Sequence, residues 1–115
     1  MDDCIFCMIA NGQIESRTVY DDDVVVAFDD LTPQAPVHTV IIPKAHYVNL
    51  NDDVPPDVLV ALLRAVPKVA ALKGVAESGY RVIVNSGPDS AQTVQHLHVH
   101  VLGGGRMAHG MVNLT

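Results

Sequence analysis

The segment His96-Leu97-His98-Val99-His100-Val101-Leu102 alternates imidazole rings with aliphatic side chains, and a β-strand over it would send the rings to one face and the aliphatics to the other. At a rise of about 3.3 Å per residue, same-face rings stand roughly 6.6 Å apart, close enough to surround one bound group such as a phosphate. A neutral imidazole near pH 7 is a competent nucleophile toward phosphorus, and a covalent intermediate splits one difficult displacement into two easier ones. The middle ring, His98, is the natural attacker. Two other uses of the pattern compete. His-x-His can hold a metal with a third ligand from a neighbouring strand, and three structural histidines would each need buried hydrogen-bond partners.

A second group of reactive residues stands near the amino end. Cys4 and Cys7 form Cys-Ile-Phe-Cys, a pair that in a chain without a secretion signal is more often a metal or redox feature than a structural disulfide. Their i, i+3 spacing lets one helical turn aim both thiols at one point.

The elements that must carry these side chains follow from the rest of the sequence. Ile5 to Ala10 is a short apolar stretch ending at Asn11-Gly12, which predicts one or two helical turns closed by a left-handed residue. Thr18 to Tyr20 and Val24 to Phe28 are β-branched runs around Asp21-Asp22-Asp23, a hairpin with a polar turn. Thr32-Pro33-Gln34-Ala35-Pro36 forces an irregular connection, and His38 to Ile42 is a third strand ended by Pro43. The long helix lies between Asn51-Asp52-Asp53 and Gly74, with Asp53 as cap, prolines 55 and 56 in the first turn, and Leu59, Leu62, Leu63, Val66 and Ala70 on one buried face. Lys68 and Lys73 complement its dipole, and Pro67 should kink it. Tyr80 to Val84 and the histidine segment bring the strands to five. Strands interrupted by one long helix predict an α+β fold: a five-stranded antiparallel sheet with one long and one short helix.

At 115 residues the chain is expected to form a single domain, 1–115, small enough that a second copy would help bury surface. Net charge is −6, and Asp2, Asp3, Glu15, Asp21, Asp22, Asp23, Asp29 and Asp30 face one base, Arg17, in the first thirty residues. No basic stripe is available to release counterions from a nucleic-acid polymer. The composition is 49% apolar but holds no run of membrane length and no signal sequence, so a soluble cytoplasmic protein without membrane contact is expected.

The histidine segment resembles the signature of the histidine triad family of nucleotide-binding hydrolases, together with Asn85-Ser86-Gly87, Ala91-Gln92-Thr93-Val94 and the tail Gly103-Gly104-Gly105-Arg106-Met107. The likeness extends upstream through Phe28-Asp29-Asp30-Leu31-Thr32-Pro33-Gln34-Ala35-Pro36-Val37-His38 and Val40-Ile41-Ile42-Pro43-Lys44-Ala45-His46. It implies that two sheets join edge to edge in a two-fold homodimer. His98 would attack the α-phosphorus of a nucleotide derivative and leave a nucleotidyl-histidine that water hydrolyses to a nucleoside monophosphate. His96 and His100 complete the triad, His38 is a fourth imidazole beside it, and His100, Thr93 and Asn85 would donate to the phosphate oxygens. Asp30 would accept the ribose hydroxyls, and Phe6, Ile9, Ile14, Phe28 and Leu31 would line the base pocket. Some members with Cys-x-x-Cys at the amino end bind a structural zinc, which here assigns Cys4, Cys7, His46 and His96 as ligands, with no organic cofactor.

His100 stands where nucleotidylyl transferases of the superfamily carry glutamine, so hydrolysis is favoured over transfer. The Gly103-Gly104-Gly105-Arg106 tail resembles the Hint branch, which implies cleavage of purine nucleoside 5′-phosphoramidates or aminoacyl-adenylates. Dinucleoside polyphosphate hydrolysis is the runner-up, and a nucleotide- or partner-binding module with incidental hydrolysis is a third reading. Two departures bear on the leaving group: Ala91 replaces the glycine usual before Gln-Ser/Thr-Val, and the tail has an extra glycine and no tryptophan near its end.

Overall fold

The computed structural model describes residues 3–115. Helix α1 (Ile5–Ala10) is followed by strands β1 (Thr18–Asp21), β2 (Val25–Asp29) and β3 (Val37–Pro43), helix α2 (Pro56–Leu72), strand β4 (Tyr80–Ile83) and strand β5 (Val99–Gly103). The strands form one antiparallel sheet in the order β1-β2-β3-β5-β4. This is the expected α+β architecture.

The first hairpin is made by one side chain. Asp22 Oδ1 accepts from the N–H groups of Val24 and Val25, both at 2.8 Å, and its Oδ2 accepts from the Tyr20 hydroxyl at 2.7 Å. Burial pushes the Asp22 carboxyl up, yet these donors and Lys68 together hold it below its ordinary value.

Pairing of Val40 with His100 and of His38 with Leu102 places all four residues on one face of the sheet. The opposite face carries Val25, Ala27, Ile41, Val99 and Val101, which form the main core with Leu97 and with Val58, Leu62, Ala65, Val66 and Val69 of α2. On the histidine side a smaller cluster of Val26, Phe28, Val40 and Ile42 is covered by Phe6, Ile9 and Ala10 of α1. The sheet therefore separates a dry aliphatic layer from a layer in which aliphatics and imidazoles meet.

The long helix departs from expectation at two points. Its N-cap is Pro55, with no side-chain cap, so Asp53 lies outside it. Its buried face is Val58, Leu62, Ala65, Val66, Val69 and Ala70, leaving Leu59 half-buried and Leu63 62% exposed. The helix also runs unbroken through Pro67, which is exposed. Proline removes the bond to the carbonyl of residue 63, and both Leu63 and Pro67 are exposed, so this stretch of the helix faces solvent. Gly74, at φ +75°, ends the element. Lys73 spends its charge on Asp29, meeting both carboxylate oxygens at 3.0 Å, while Thr39 Oγ1 donates to Asp29 Oδ1 at 3.0 Å. That contact fastens the end of β2 one residue before Asp30.

Regular pairing of the histidine segment begins only at Val99, so His96, Leu97 and His98 precede the ladder. Alternation persists without it, because Leu97 is tied by its N–H to the carbonyl of Tyr47 at 2.6 Å and buries its side chain in the main core. Pro43 is the last residue of β3 rather than a terminator beyond it.

Between β4 and the histidines the chain makes a tight loop in which Ala91 alone among the described non-glycine residues has positive φ, at 62°. A left-handed Cβ costs roughly 1–2 kcal/mol, and glycine loses part of that advantage to its larger unfolded-state entropy. Ala91→Gly is therefore expected to raise stability by about 0.5–1 kcal/mol, read from chemical denaturation at unchanged m-value.

Candidate active site

The ring nitrogens of the histidines are held by partners that decide which atom carries the proton. His98 Nδ1 lies 2.7 Å from the carbonyl oxygen of His96. A carbonyl only accepts, so Nδ1 bears the hydrogen and Nε2 keeps its lone pair. The residue is 5% exposed, with its ring edge-on to Phe6 at 5.2 Å between centroids and to His100 at 4.8 Å. The centroids of these two neighbouring rings thus stand closer than the strand repeat implies.

His96 is oriented in the reverse sense. Its Nε2 donates to the Pro43 carbonyl at 2.8 Å, so Nδ1 is bare and points at the cysteines, 3.3 Å from Cys4 Sγ and 3.5 Å from Cys7 Sγ. His46 Nδ1 lies 3.2 Å from Cys7 Sγ. The four donor atoms of Cys4, Cys7, His46 and His96 fall within 4.8 Å of one another and could hold a metal ion. Cys4 caps α1, its sulfur accepting from the Cys7 N–H at 3.3 Å, which fixes the turn that brings both thiols to the same side. Burial, followed by the hydrogen bond and charge of Cys4, pushes the Cys7 thiol up to about 11. Two thiolates side by side repel, and a cation between them would reverse that penalty. Of the three blade histidines, His96 therefore stands with the cysteines while His98 and His100 share a different space.

That space includes His38 and Asp30. His38 Nε2 and His100 Nδ1 are 2.8 Å apart, and Asp30 Oδ2 lies 3.6 Å from His38 Nε2. Asp30 is set by its own turn, Oδ1 accepting from the Thr32 N–H at 2.9 Å and the Thr32 hydroxyl at 3.2 Å. Burial lowers the pKa of His98, and lowers that of His100 to about 4 with help from the charges of His98 and His38; the Asp30 carboxylate opposes both shifts. Both rings are neutral at pH 7, one able to attack and the other able to donate.

Of the apolar residues expected around a nucleobase, Phe6, Ile9 and Phe28 pack together beside the histidines, with Phe6 edge-on to Phe28 at 5.4 Å. Ile14 lies apart from them, lining an open cavity of about 370 Å³ with Glu15, Ser16, Thr18, Asp21 and Val26, which Ile9 also borders. Leu31 is 84% exposed and buries little against the others. Asn85 is half-buried after β4, and Thr93 is exposed on the approach to His96.

One residue whose role the sequence did not reveal organises that approach. Gln92 is buried; its Oε1 accepts from the Gly87 N–H at 2.9 Å and from Asn49 Nδ2 at 3.3 Å, while Nε2 donates to the carbonyls of Val48 at 2.6 Å and Val94 at 3.1 Å. It ties the loop holding Thr93 to the segment after His46. Only its place beside Thr93 hinted at this, since a lone glutamine in a loop is ordinarily solvated.

Comparison with known proteins identifies the family. The HIT domain family model matches residues 11–107. The chain is 41% identical to the adenylylsulfatase HINT1 of Arabidopsis thaliana, covering 90% of this chain and 72% of that protein, and 41% identical to a 14 kDa zinc-binding protein of Brassica juncea, covering 91% and 96%. A histidine triad protein from Clostridium difficile superposes with a TM-score of 0.89 at 45% identity, covering 96% of this chain and 97% of that one. The alternating histidines, the five-stranded order that displays them and a match spanning most of the sequence lead to one conclusion: the chain belongs to the HIT domain family.

Proposed function

We propose that the protein is a nucleotide hydrolase that cleaves purine nucleoside 5′-phosphoramidates or aminoacyl-adenylates to a nucleoside monophosphate. The observation that carries this reading is the bare Nε2 of His98, held by the Nδ1 bond to the His96 carbonyl and set beside a second neutral ring, His100. His98 Nε2 attacks the α-phosphorus, the bond from phosphorus to the leaving nitrogen or acyl oxygen breaks, and water then displaces the imidazole. His100, Thr93 and Asn85 supply donors to the nonbridging oxygens, which is where phosphoryl transfer gains most. Asp30 accepts from the ribose, and Phe6, Ile9 and Phe28 provide the apolar wall for the base, with Ile14 and Leu31 at its margin. His38 orients His100.

Two results test the mechanism. His98→Ala should abolish steady-state hydrolysis of adenosine phosphoramidate while AMP still binds, and wild-type protein quenched during turnover should carry a nucleotidyl adduct on His98 by mass spectrometry. Retained turnover in the variant overturns the mechanism. Because burial lowers the His98 pKa, the neutral nucleophile persists below the ordinary imidazole value of about 6.5. The acid limb of the kcat/KM profile is thus expected below pH 6.5, with activity falling as pH drops through it. A kcat/KM within about 10⁴–10⁸ M⁻¹s⁻¹ for phosphoramidate or lysyl-adenylate, exceeding that for diadenosine polyphosphates, is the outcome that fits this substrate class.

The cluster of cysteines and histidines is read as a structural zinc site of Cys4, Cys7, His46 and His96. Tetrahedral zinc with bonds of about 2.3 Å to sulfur and 2.05 Å to nitrogen sets S···N separations near 3.6 Å, and the contacts here are 3.2–3.5 Å. The fit extends to the outer contact, since His96 turns its protonated nitrogen to a backbone carbonyl. With all four positions filled by protein, zinc would fix α1 against the sheet and leave no site for water. Protein purified without added metal should contain about one zinc per chain. Cys4→Ser should remove it and lower Tm more than it lowers kcat of the folded fraction.

Strand β4 ends the sheet with Tyr80, Val82 and Ile83 each more than a third exposed, an apolar edge that pairing with a second copy would cover. The reading is a two-fold homodimer joined there, working on small nucleotides rather than nucleic-acid polymers. Among the described residues no helix is long and apolar enough to cross a membrane, and a cytoplasmic location is part of the same reading. Sedimentation at micromolar concentration should show a two-chain particle, and Val82→Lys should shift it toward one chain.

A further inference from the structure

Beside the nucleophile, Asp30, His38 and His100 bring one carboxylate and two ring nitrogens within 4.8 Å, an arrangement that could be taken for a second metal site. A backbone group decides otherwise. The N–H of Gln34 points at His38 Nδ1 from 3.0 Å. An amide N–H only donates, so Nδ1 must be bare and the proton of neutral His38 lies on Nε2. A protonated nitrogen does not ligate a metal. It donates instead, to His100 Nδ1 at 2.8 Å, and the Asp30 carboxylate 3.6 Å from Nε2 favours the same placement.

The consequence runs outward. With Nδ1 of His100 occupied as an acceptor, the proton of that neutral ring sits on Nε2. We propose that Gln34 is a positioning residue, its main-chain N–H setting the direction of a chain of donors that passes through His38 and His100 and ends as an N–H aimed at the substrate phosphate. Reversal would require His38 to carry hydrogen on Nδ1, donor facing donor, and would present a lone pair from His100 to an anionic oxygen. Gln34 is held for this work by the surrounding Pro33 and Pro36, which restrict the connection between Asp30 and β3. The role of His100 at the phosphate rests on the hydrolase reading above, whereas the proton positions on His38 and His100 do not depend on it.

Ring nitrogen-15 spectra of the full chain at neutral pH test the protonation directly, without substrate. Wild type is expected to show His38 and His100 both protonated at Nε2 and His98 at Nδ1; His38 protonated at Nδ1 overturns the proposal. Replacing Gln34 by its α-hydroxy analogue converts the preceding peptide to an ester and deletes this one N–H. His38 should then populate the Nδ1-protonated form, and kcat for adenosine phosphoramidate should fall by about tenfold or more with KM changed by less than about twofold, since the donor is used more strongly in the transition state. Gln34→Ala keeps the N–H and should keep the wild-type ring spectrum. An ester protein with unaltered His38 protonation or unaltered kcat overturns the proposal. Absence of phosphoramidate turnover in wild type with the expected ring protonation overturns the substrate reading instead.

Discussion

A buried imidazole has two nitrogens of opposite hydrogen-bonding character, and both must be satisfied or turned to use. That constraint governs the arrangement around the sheet. His96 gives its hydrogen to Pro43 and turns a lone pair to the thiols; His98 gives its hydrogen to the His96 carbonyl and turns a lone pair to the open space. Neighbouring rings of identical composition acquire opposite orientations because each inner nitrogen meets a different carbonyl. No buried side-chain nitrogen or oxygen among the described residues lacks a partner, so the order among these rings comes from ordinary accounting of donors and acceptors.

The same segment joins the two centres mechanically. His96 contributes its ring to one and its main-chain carbonyl to the other, and Phe6, between Cys4 and Cys7 on α1, lies edge-on to both His96 and His98 at 6.0 and 5.2 Å. The aliphatic face beneath supplies the rigid base: Leu97, Val99 and Val101 are buried with α2, so the rings above have little freedom to tilt. Gln92 performs the corresponding task for the loop carrying Thr93.

Period-two alternation made the strands, their faces and the grouping of His98 with His100 legible in the sequence, because polarity and burial coincide there, whereas His38 was placed beside them only by the family resemblance. The long helix was less readable. Its sequence offers apolar residues almost all round, and which stripe is buried depends on the docking angle against β2, β3 and β5; Ala65 and Val69 face the sheet where Leu63 does not. The limits of the ladder were also hidden, since Leu97 is anchored by a main-chain bond to Tyr47 rather than by strand pairing. Contributions from Gln34 and Pro43 are backbone atoms that every sequence possesses, and only their placement gives them meaning. Gln92 was visible as a residue, but its burial was not.

The four donors of the cysteine cluster are drawn from three distant parts of the chain, and the outermost of them, Cys4 and His96, are 92 positions apart. An ion held by Cys4 and His96 before the rest of the chain folds would act as a cross-link closing the 92 positions between them into a ring. In the chain-entropy treatment of such closures a loop of about 100 residues is worth roughly 4–5 kcal/mol, comparable to the entire net stability of many small domains. Since the central pairing of β3 with β5 must itself span the helix and the β4 hairpin, a chain already tied at Cys4 and His96 begins its search with those distant strands close together. The cluster would thus shorten the conformational search as well as hold its end point.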